Sequence, residues 1–426
     1  MFIVFAQHTS SRLEYVVQTI LGNDTIITRD VLKFSNSSLQ KINYSSTDFN
    51  EESLWVMPYG LLESKNIETQ DITCFEWNGL KAFFKTNGKL PFDIFSASFY
   101  LLTRYEEYFD GYKTDAYGNY HHENSVAFKE NFLHLPLINL WLQEIENHYK
   151  FSMPNSQFLI VPTYDVDIAY CYKHHSLLKN IGGFVKDLAK RKGTFKQRLL
   201  VLLNYKKDAY DVFDWLHQLH LEKKLKPIYF FLVAKNRSQF DKNALPKSKG
   251  MVGLIKQISK QYIIGIHPSF VSNNNENILQ NEIKYLQKIT NKNITISRQH
   301  YLQLSLPKTY KTLIQQGINE DYTMGYGTCN GFRTSYTKPF YWYHLLQEKQ
   351  TNLLLHPFCY MDANSIFEQQ LSPENALQEM LHYYNIVKQV NGAFIFIMHN
   401  HFLANQPQWK PWAGVYEKFL NQTINV

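Results

Sequence analysis

Cysteine is scarce. Cys74, Cys171, Cys329 and Cys359 are scattered through 426 residues, with no C-x-x-C among them. That spacing excludes a disulfide framework and a cysteine metal cluster, and it fits a reducing compartment. Charge is sparse as well. Asp, Glu, Lys and Arg make up 19% of the chain against 44% hydrophobic residues, which excludes a disordered polymer. No apolar run reaches about 18 residues, so no transmembrane helix is expected. The opening Met1-Phe-Ile-Val-Phe-Ala-Gln-His8 lacks the basic start and long apolar stretch of a signal peptide, so a cytoplasmic location is expected. No repeat recurs at a fixed period. The net charge of +7 is mild for this length and forms no stripe of the kind that binds nucleic acid. The densest basic run, Lys186 to Lys207, includes Lys190, Arg191, Lys192, Lys196 and Arg198. It reads as a solvated loop and helix face, or as a patch for an anionic glycan or a membrane surface.

What the chain has is length, aromatics and alternation. An α/β barrel of about 250 residues would leave roughly 150 over. The 29 Tyr and 30 Phe must serve a core or a binding surface. The first part mixes a strand at 2–6, a helix at 10–21 and a strand at 24–28. Leu90 to Tyr108 reads as one helix, apolar nearly all round until Arg104. Met153-Pro-Asn-Ser156 reads as a boundary. From Gln157 onward, apolar strands alternate with amphipathic helices about seven times, the pattern of parallel strands with helical crossovers. In this reading Pro339 to Glu348 is one of the helices and Ile318 to Met324 a fifth strand. The strands are continuous apolar runs, as strands covered on both faces should be.

Ionisable residues gather where those strands end: Asp165 and Asp167, His267, Arg298 and His300, Asp362, then His399 and His401. Parallel barrels place their active sites at that end. Residues i and i+2 of an extended chain face the same side, so Asp165 and Asp167 can share one site. Carboxylate plus imidazoles suits a divalent cation. Such a site needs a base for water and an acid for the departing amine. The residue types therefore fit metal-assisted hydrolysis of an amide or ester.

The order of these motifs resembles the polysaccharide deacetylase family, carbohydrate esterase family four, whose members are NodB-like. Thr163-Tyr-Asp-Val-Asp167 is similar to its T-x-D-x-D motif, His267-Pro-Ser-Phe-Val271 to H-S/T-x-x-H, Arg298-Gln-His-Tyr-Leu302 to R-x-P-x-G, and Ile397-Met-His399 to L-x-H. The resemblance is nearest to a divergent sub-group of Bacteroidetes-type bacteria, and also takes in Phe92 to Tyr108, Asp321 to Tyr326 and Gly331-Phe-Arg333. It implies a distorted (β/α)7 barrel over residues 153–426 and a smaller N-terminal α/β domain over 1–152. It implies Asp165 as base, Arg298 orienting it, His399 as acid, and Asp167 and His267 as metal ligands. Val271 stands where the family has its second histidine, one ligand short, and His300 is the candidate replacement. Arg333, Asp362, His401 and Tyr326 are candidates for substrate contact. Asp362 could equally be the partner of a histidine.

The expected activity is removal of N-acetyl groups from an amino sugar in a glycan or glycan precursor. The cofactor would be a divalent metal, zinc first, with cobalt, nickel or manganese as alternatives. The expected partner is an N-acetylated sugar, with no nucleic acid. Two other readings stand beside it. One is a degenerate glycan-binding protein, prompted by Val271. The other is a small-molecule amidohydrolase with a closed pocket.

Overall fold

The computed structural model describes residues 1–49, 52–153, 156–189 and 194–424. The 153–156 boundary lies partly, and Lys190, Arg191 and Lys192 wholly, outside the described residues. The first part of the chain builds a four-stranded parallel sheet from β1 (Phe2–Ala6), β2 (Ile26–Thr28), β3 (Gln40–Tyr44) and β4 (Leu54–Val56), in the order β2-β1-β3-β4. Every residue of β1 is buried, as a parallel strand covered on both faces demands. A hairpin of β5 (Phe75–Trp77) and β6 (Leu80–Ala82) follows. It turns on Asn78-Gly79, both at positive φ, the sequence that a tight two-residue turn needs.

The segment 90–108 is not one helix. The helix runs Ile94–Leu102, capped by the Asp93 carboxylate, which accepts the Ser96 N–H at 3.0 Å. Arg104 then takes a left-handed backbone (φ 53°) and turns the chain into a short 3₁₀ segment, Tyr105–Tyr108. Its guanidinium is buried against Glu106 and Glu107, both at 2.7 Å, and that ion network holds the break in place.

The rest of the chain builds a nine-stranded sheet. Its strands are β7 (Leu159–Val166), β8 (Ile228–Phe231), β9 (Ile263–Ile266), β10 (Ile296–Ser297), β11 (Glu320–Asp321), β12 (Phe340–His344), β13 (Lys349–Leu355), β14 (Tyr360–Met361) and β15 (Ala393–His399). The order is β12-β13-β11-β10-β9-β8-β7-β15-β14, parallel throughout except for the edge pair β12 and β13. The sheet curls into a half-barrel beside the smaller sheet, a mixed α/β architecture of the distorted-barrel kind. Among the described residues no ladder joins β12 to β14.

The expectation of a helix over Pro339–Glu348 is corrected. Phe340 and Trp342 are buried while Tyr341 between them is 42% exposed, so the aromatic run follows the two-residue period of a strand. The expected strand over Ile318–Met324 shrinks to Glu320–Asp321. Elsewhere the helices fall close to their apolar periodicity, at Lys249–Ser259, Glu276–Thr290, Lys308–Gln315 and Pro373–Gln389.

The two sheets share one apolar core. Phe99 and Tyr15 of the first part both contact the Tyr343 ring, with centroids 5.3 and 4.8 Å away. Ion pairs cross the same seam: Arg12 with Glu348 at 2.5 Å, and Glu107 with Arg333 at 2.6 Å.

Candidate active site

The parallel order sets the site. β10, β9, β8, β7 and β15 are consecutive neighbours, so residues at their C-terminal ends meet above one stretch of sheet. Asp165 lies opposite His399 in the β7–β15 register. Asp167, just past β7, is where the side chains converge. His267 Nε2 lies 3.0 Å and His300 Nε2 3.8 Å from its Oδ1, and His399 Nε2 lies 3.5 Å from its Oδ2.

Each of these imidazoles is held from behind through Nδ1. His267 Nδ1 donates to the Arg298 carbonyl oxygen at 2.6 Å. His300 Nδ1 lies 3.3 Å from Asp241 Oδ1, and His399 Nδ1 lies 2.6 Å from Asp362 Oδ1. A carbonyl only accepts, so the Nδ1 proton of His267 is fixed and its Nε2 is the free nitrogen. That nitrogen faces Asp167 Oδ1, a buried oxygen that accepts no hydrogen bond among the described residues. Two acceptors 3.0 Å apart repel unless a cation or a proton sits between them. Asp167, His267 and His300 offer ligand atoms all within 4.8 Å of one another. One carboxylate and two imidazoles, each ring backed by an acceptor, fit a divalent metal.

Charges follow the geometry. Burial pushes Asp167 up, but His300, His267 and His399 outweigh it and hold the carboxyl well below its usual range. Burial pushes His267 down, and Asp165 and Asp167 reverse this so that it ends raised. For His399 burial is again overcome, mainly by Asp362, and its pKa stands at about 9. Among the described residues His401 has no such carboxylate bonded to its ring. Burial and then His399 push it down to about 3, so it is neutral, and its Nδ1 is buried without a hydrogen bond among the described residues.

Asp165 is held by Arg298, whose Nη1 donates to its Oδ1 at 2.9 Å and to Thr163 Oγ1 at 2.7 Å. Arg298 is fully buried, donates through Nε to the Tyr322 carbonyl at 2.9 Å, and lies 4.5 Å from the Phe230 ring. The other oxygen of Asp165 is 3.8 Å from His267 Nε2.

These groups floor a pocket of about 390 Å³. Asp165, Asp167, His267, His300, His399 and His401 all line it. Asp362 does not. Its two oxygens are taken by the ring and the backbone N–H of His399, at 2.6 and 2.7 Å. Arg333 and Tyr326 are not brought to the pocket either. Glu107 takes Arg333 Nε and Nη2 at 2.9 and 2.6 Å and the Gly325 carbonyl takes Nη1, so all three nitrogens of this buried guanidinium are engaged away from the pocket. The Tyr326 hydroxyl accepts from Arg104 at 3.1 Å. Val271 opens a short 3₁₀ turn after β9, and His300 brings its imidazole to Asp167 from the next strand.

Sequence reasoning missed two contributors. Asp241 sits in an irregular loop and carries no motif. Its carboxylate accepts from His300, from the backbone and hydroxyl of Ser238, and from the Phe270 N–H. Burial raises its pKa, and those bonds outweigh it and bring it to about 2. The second is the loop 115–120 of the first part of the chain. Asp115 and Tyr117 wall the pocket, and Tyr117 lies 4.3 Å from the Tyr301 ring. Buried Asn119 donates to the Tyr301 carbonyl at 3.0 Å and accepts the Leu304 N–H at 3.2 Å. Between those bonds Tyr301 and Leu302 are left-handed (φ 55° and 50°), a conformation that costs about 1–2 kcal/mol per residue. The clamp therefore holds an unfavourable turn directly after His300.

Residues 2–154 match the model of a family of unknown function, DUF7033. No curated protein matches the chain. Among solved structures, a candidate polysaccharide deacetylase from Mycobacterium smegmatis is 14% identical, with a TM-score of 0.41, over 65% of this chain and 87% of that one. A polysaccharide deacetylase from Bacillus cereus is 11% identical, TM-score 0.31, over 63% of this chain and 88% of that one. A pseudoenzyme of carbohydrate esterase family four from Bacillus anthracis is 11% identical, TM-score 0.33, over 64% of this chain and 64% of that one.

Proposed function

We propose that this chain is a metal-dependent hydrolase that removes the N-acetyl group of an amino sugar in a glycan or glycan precursor. The observation that carries this reading is the convergence of three imidazoles on Asp167, each with its Nδ1 held by an acceptor. In this reading Asp167, His267 and His300 hold the metal, with zinc the best match to the donor set. When bound, a divalent ion supplies Lewis acidity for the scissile carbonyl.

The chain's own groups do the rest. Asp165 accepts the proton of the attacking water, and Arg298 keeps its carboxylate oriented by the 2.9 Å bond. The water oxygen bonds to the acetyl carbon. The C–N bond then breaks, and the nitrogen takes the proton from His399 Nε2. With a pKa of about 9, His399 carries that proton at neutral pH. Acetate and a free amine are the products. Residues 1–152 act in this reading as an accessory domain whose 115–120 loop completes the pocket wall. A volume of about 390 Å³ suits one sugar-sized unit.

The test is acetate release from N-acetylglucosamine-type substrates with Zn²⁺ or Co²⁺, together with metal content. The expected result is close to one metal per chain, and release that Asp165→Asn abolishes. No release across a broad panel, with metal bound at the site, sinks the deacetylase reading. Failure to bind any divalent ion favours the degenerate glycan-binding reading instead.

A further inference from the structure

Away from the pocket, two helices, Leu177–Ala189 and Thr194–Leu202, pack on each other and leave an apolar face outward. Soluble helices turn apolar residues inward and charge outward. Here Leu178, Ile181 and Val185, at i, i+3 and i+7, are 81%, 49% and 63% exposed. Leu199 and Leu203 on the second helix and beyond it are exposed too, and Tyr205 after them is 80% exposed. Of the 21 large apolar side chains exposed among the described residues, eight fall between 177 and 205. The seam between the helices holds one aromatic contact, Phe184 with Phe195 at 5.3 Å between centroids, and a charged pair beside it. Arg198 pairs with Asp187 at 2.8 Å, with side-chain exposures of 12% and 16%. The chain therefore turns its greasy side to the outside.

Charge identifies what covers that side. Residues 173–207 hold ten Lys and Arg and one acid, a segment charge of +9 that exceeds the +7 of the whole chain. A second copy would set +9 against +9. An anionic bilayer surface satisfies both properties, taking apolar side chains below its headgroups and lysines at their level. No helix among the described residues is long and apolar enough to cross a membrane, so the contact is peripheral. The helix pair also adjoins the pocket: Lys179 Nζ donates to the carbonyl of Lys242, a pocket-lining residue, at 2.9 Å.

We propose that the 177–205 helix pair docks this protein on an anionic membrane surface, with the pocket mouth beside the headgroup plane. Docking does not depend on the deacetylase reading. Its corollary, a substrate sugar carried on a lipid, does rest on that reading.

The experiment is co-sedimentation of the full chain with vesicles of phosphatidylcholine alone or with about 30% phosphatidylglycerol. The protein should pellet with the anionic vesicles and release as salt is raised. The double variant Leu178→Asp/Ile181→Asp, and separately Lys196→Glu, should each weaken partition roughly tenfold, with melting temperatures unchanged because these side chains are exposed. Absence of pelleting at millimolar lipid, or equal pelleting of the double variant, would overturn the proposal. So would a wild-type dimer that the double variant splits without any vesicle binding, which would assign the face to self-association.

Discussion

Asp362 holds His399 at two points, the ring nitrogen Nδ1 at 2.6 Å and the backbone N–H at 2.7 Å. The carboxylate thereby fixes both the rotamer and the tautomer of the imidazole, and leaves Nε2 aimed at the pocket. Asp362 does not line the pocket and both its oxygens bond to His399, so in the proposed mechanism it acts as a positioning residue. Asp362→Asn should lower kcat about 100-fold, within the range of general acid catalysis, while KM and metal affinity stay within about twofold. Steady-state kinetics and calorimetric metal titration check this. A change in KM alone would contradict it.

Asp241 plays the corresponding part for His300. Asp241→Asn should weaken Zn²⁺ binding by about 10–100-fold, the usual cost of losing the acceptor behind a ligating imidazole. Competition with a chromophoric chelator measures it. Unchanged affinity would remove His300 from the ligand set.

The contrast between these two carboxylates shows what a sequence displays. Asp362 follows an apolar strand, as do Asp165, His267, Arg298 and His399. Ionisable residues at the ends of buried parallel strands are conspicuous because the strands themselves carry no charge. Asp241 lies in a loop with no periodicity, and only folding brings it to His300. The same holds for Asn119, 182 positions before Tyr301. Arg333 misled for the opposite reason. A Gly-Phe-Arg loop looks free in sequence, and its partner Glu107 lies 226 positions away. Phe340–His344 is ambiguous in sequence because an aromatic run bounded by Pro and Glu satisfies helical and strand spacing alike over so few residues.

Glu107 is the centre of the buried ion network between the two parts of the chain. It takes Arg333 through both oxygens and Arg104 through Oε1. Burial raises its pKa, but the two guanidinium groups outweigh this and hold the carboxyl low. Glu107→Ala leaves buried Arg333 without a carboxylate, while Arg104 keeps only Glu106, and should cost about 3–5 kcal/mol. A urea unfolding midpoint that moves by less than about 1 kcal/mol equivalent would show the network to be dispensable.

Glu282 gives the stability a pH dependence. Burial is the main cause that pushes its pKa from 4.5 to about 7, despite the Ser269 N–H at 3.0 Å. A carboxyl raised on folding binds more protons in the native state than in the unfolded one between those values. Stability therefore falls as pH rises from about 4.5 to 7, by at most about 3 kcal/mol from this group. Glu282→Gln should flatten that slope and raise the melting temperature above wild type at pH 8. Parallel slopes for the two proteins would exclude Glu282 as the source.

The left-handed turn at Tyr301–Leu302 has a consequence for anyone who would borrow this site. Its energy is met by Asn119, and Asn119 is itself fixed by Asp115 through two bonds of 2.9 Å. Grafting the strand-end residues onto a foreign barrel would transplant the ligands without their brace. The portable unit includes the loop at 115–120, and the two halves of this chain should be inherited, recombined and engineered together.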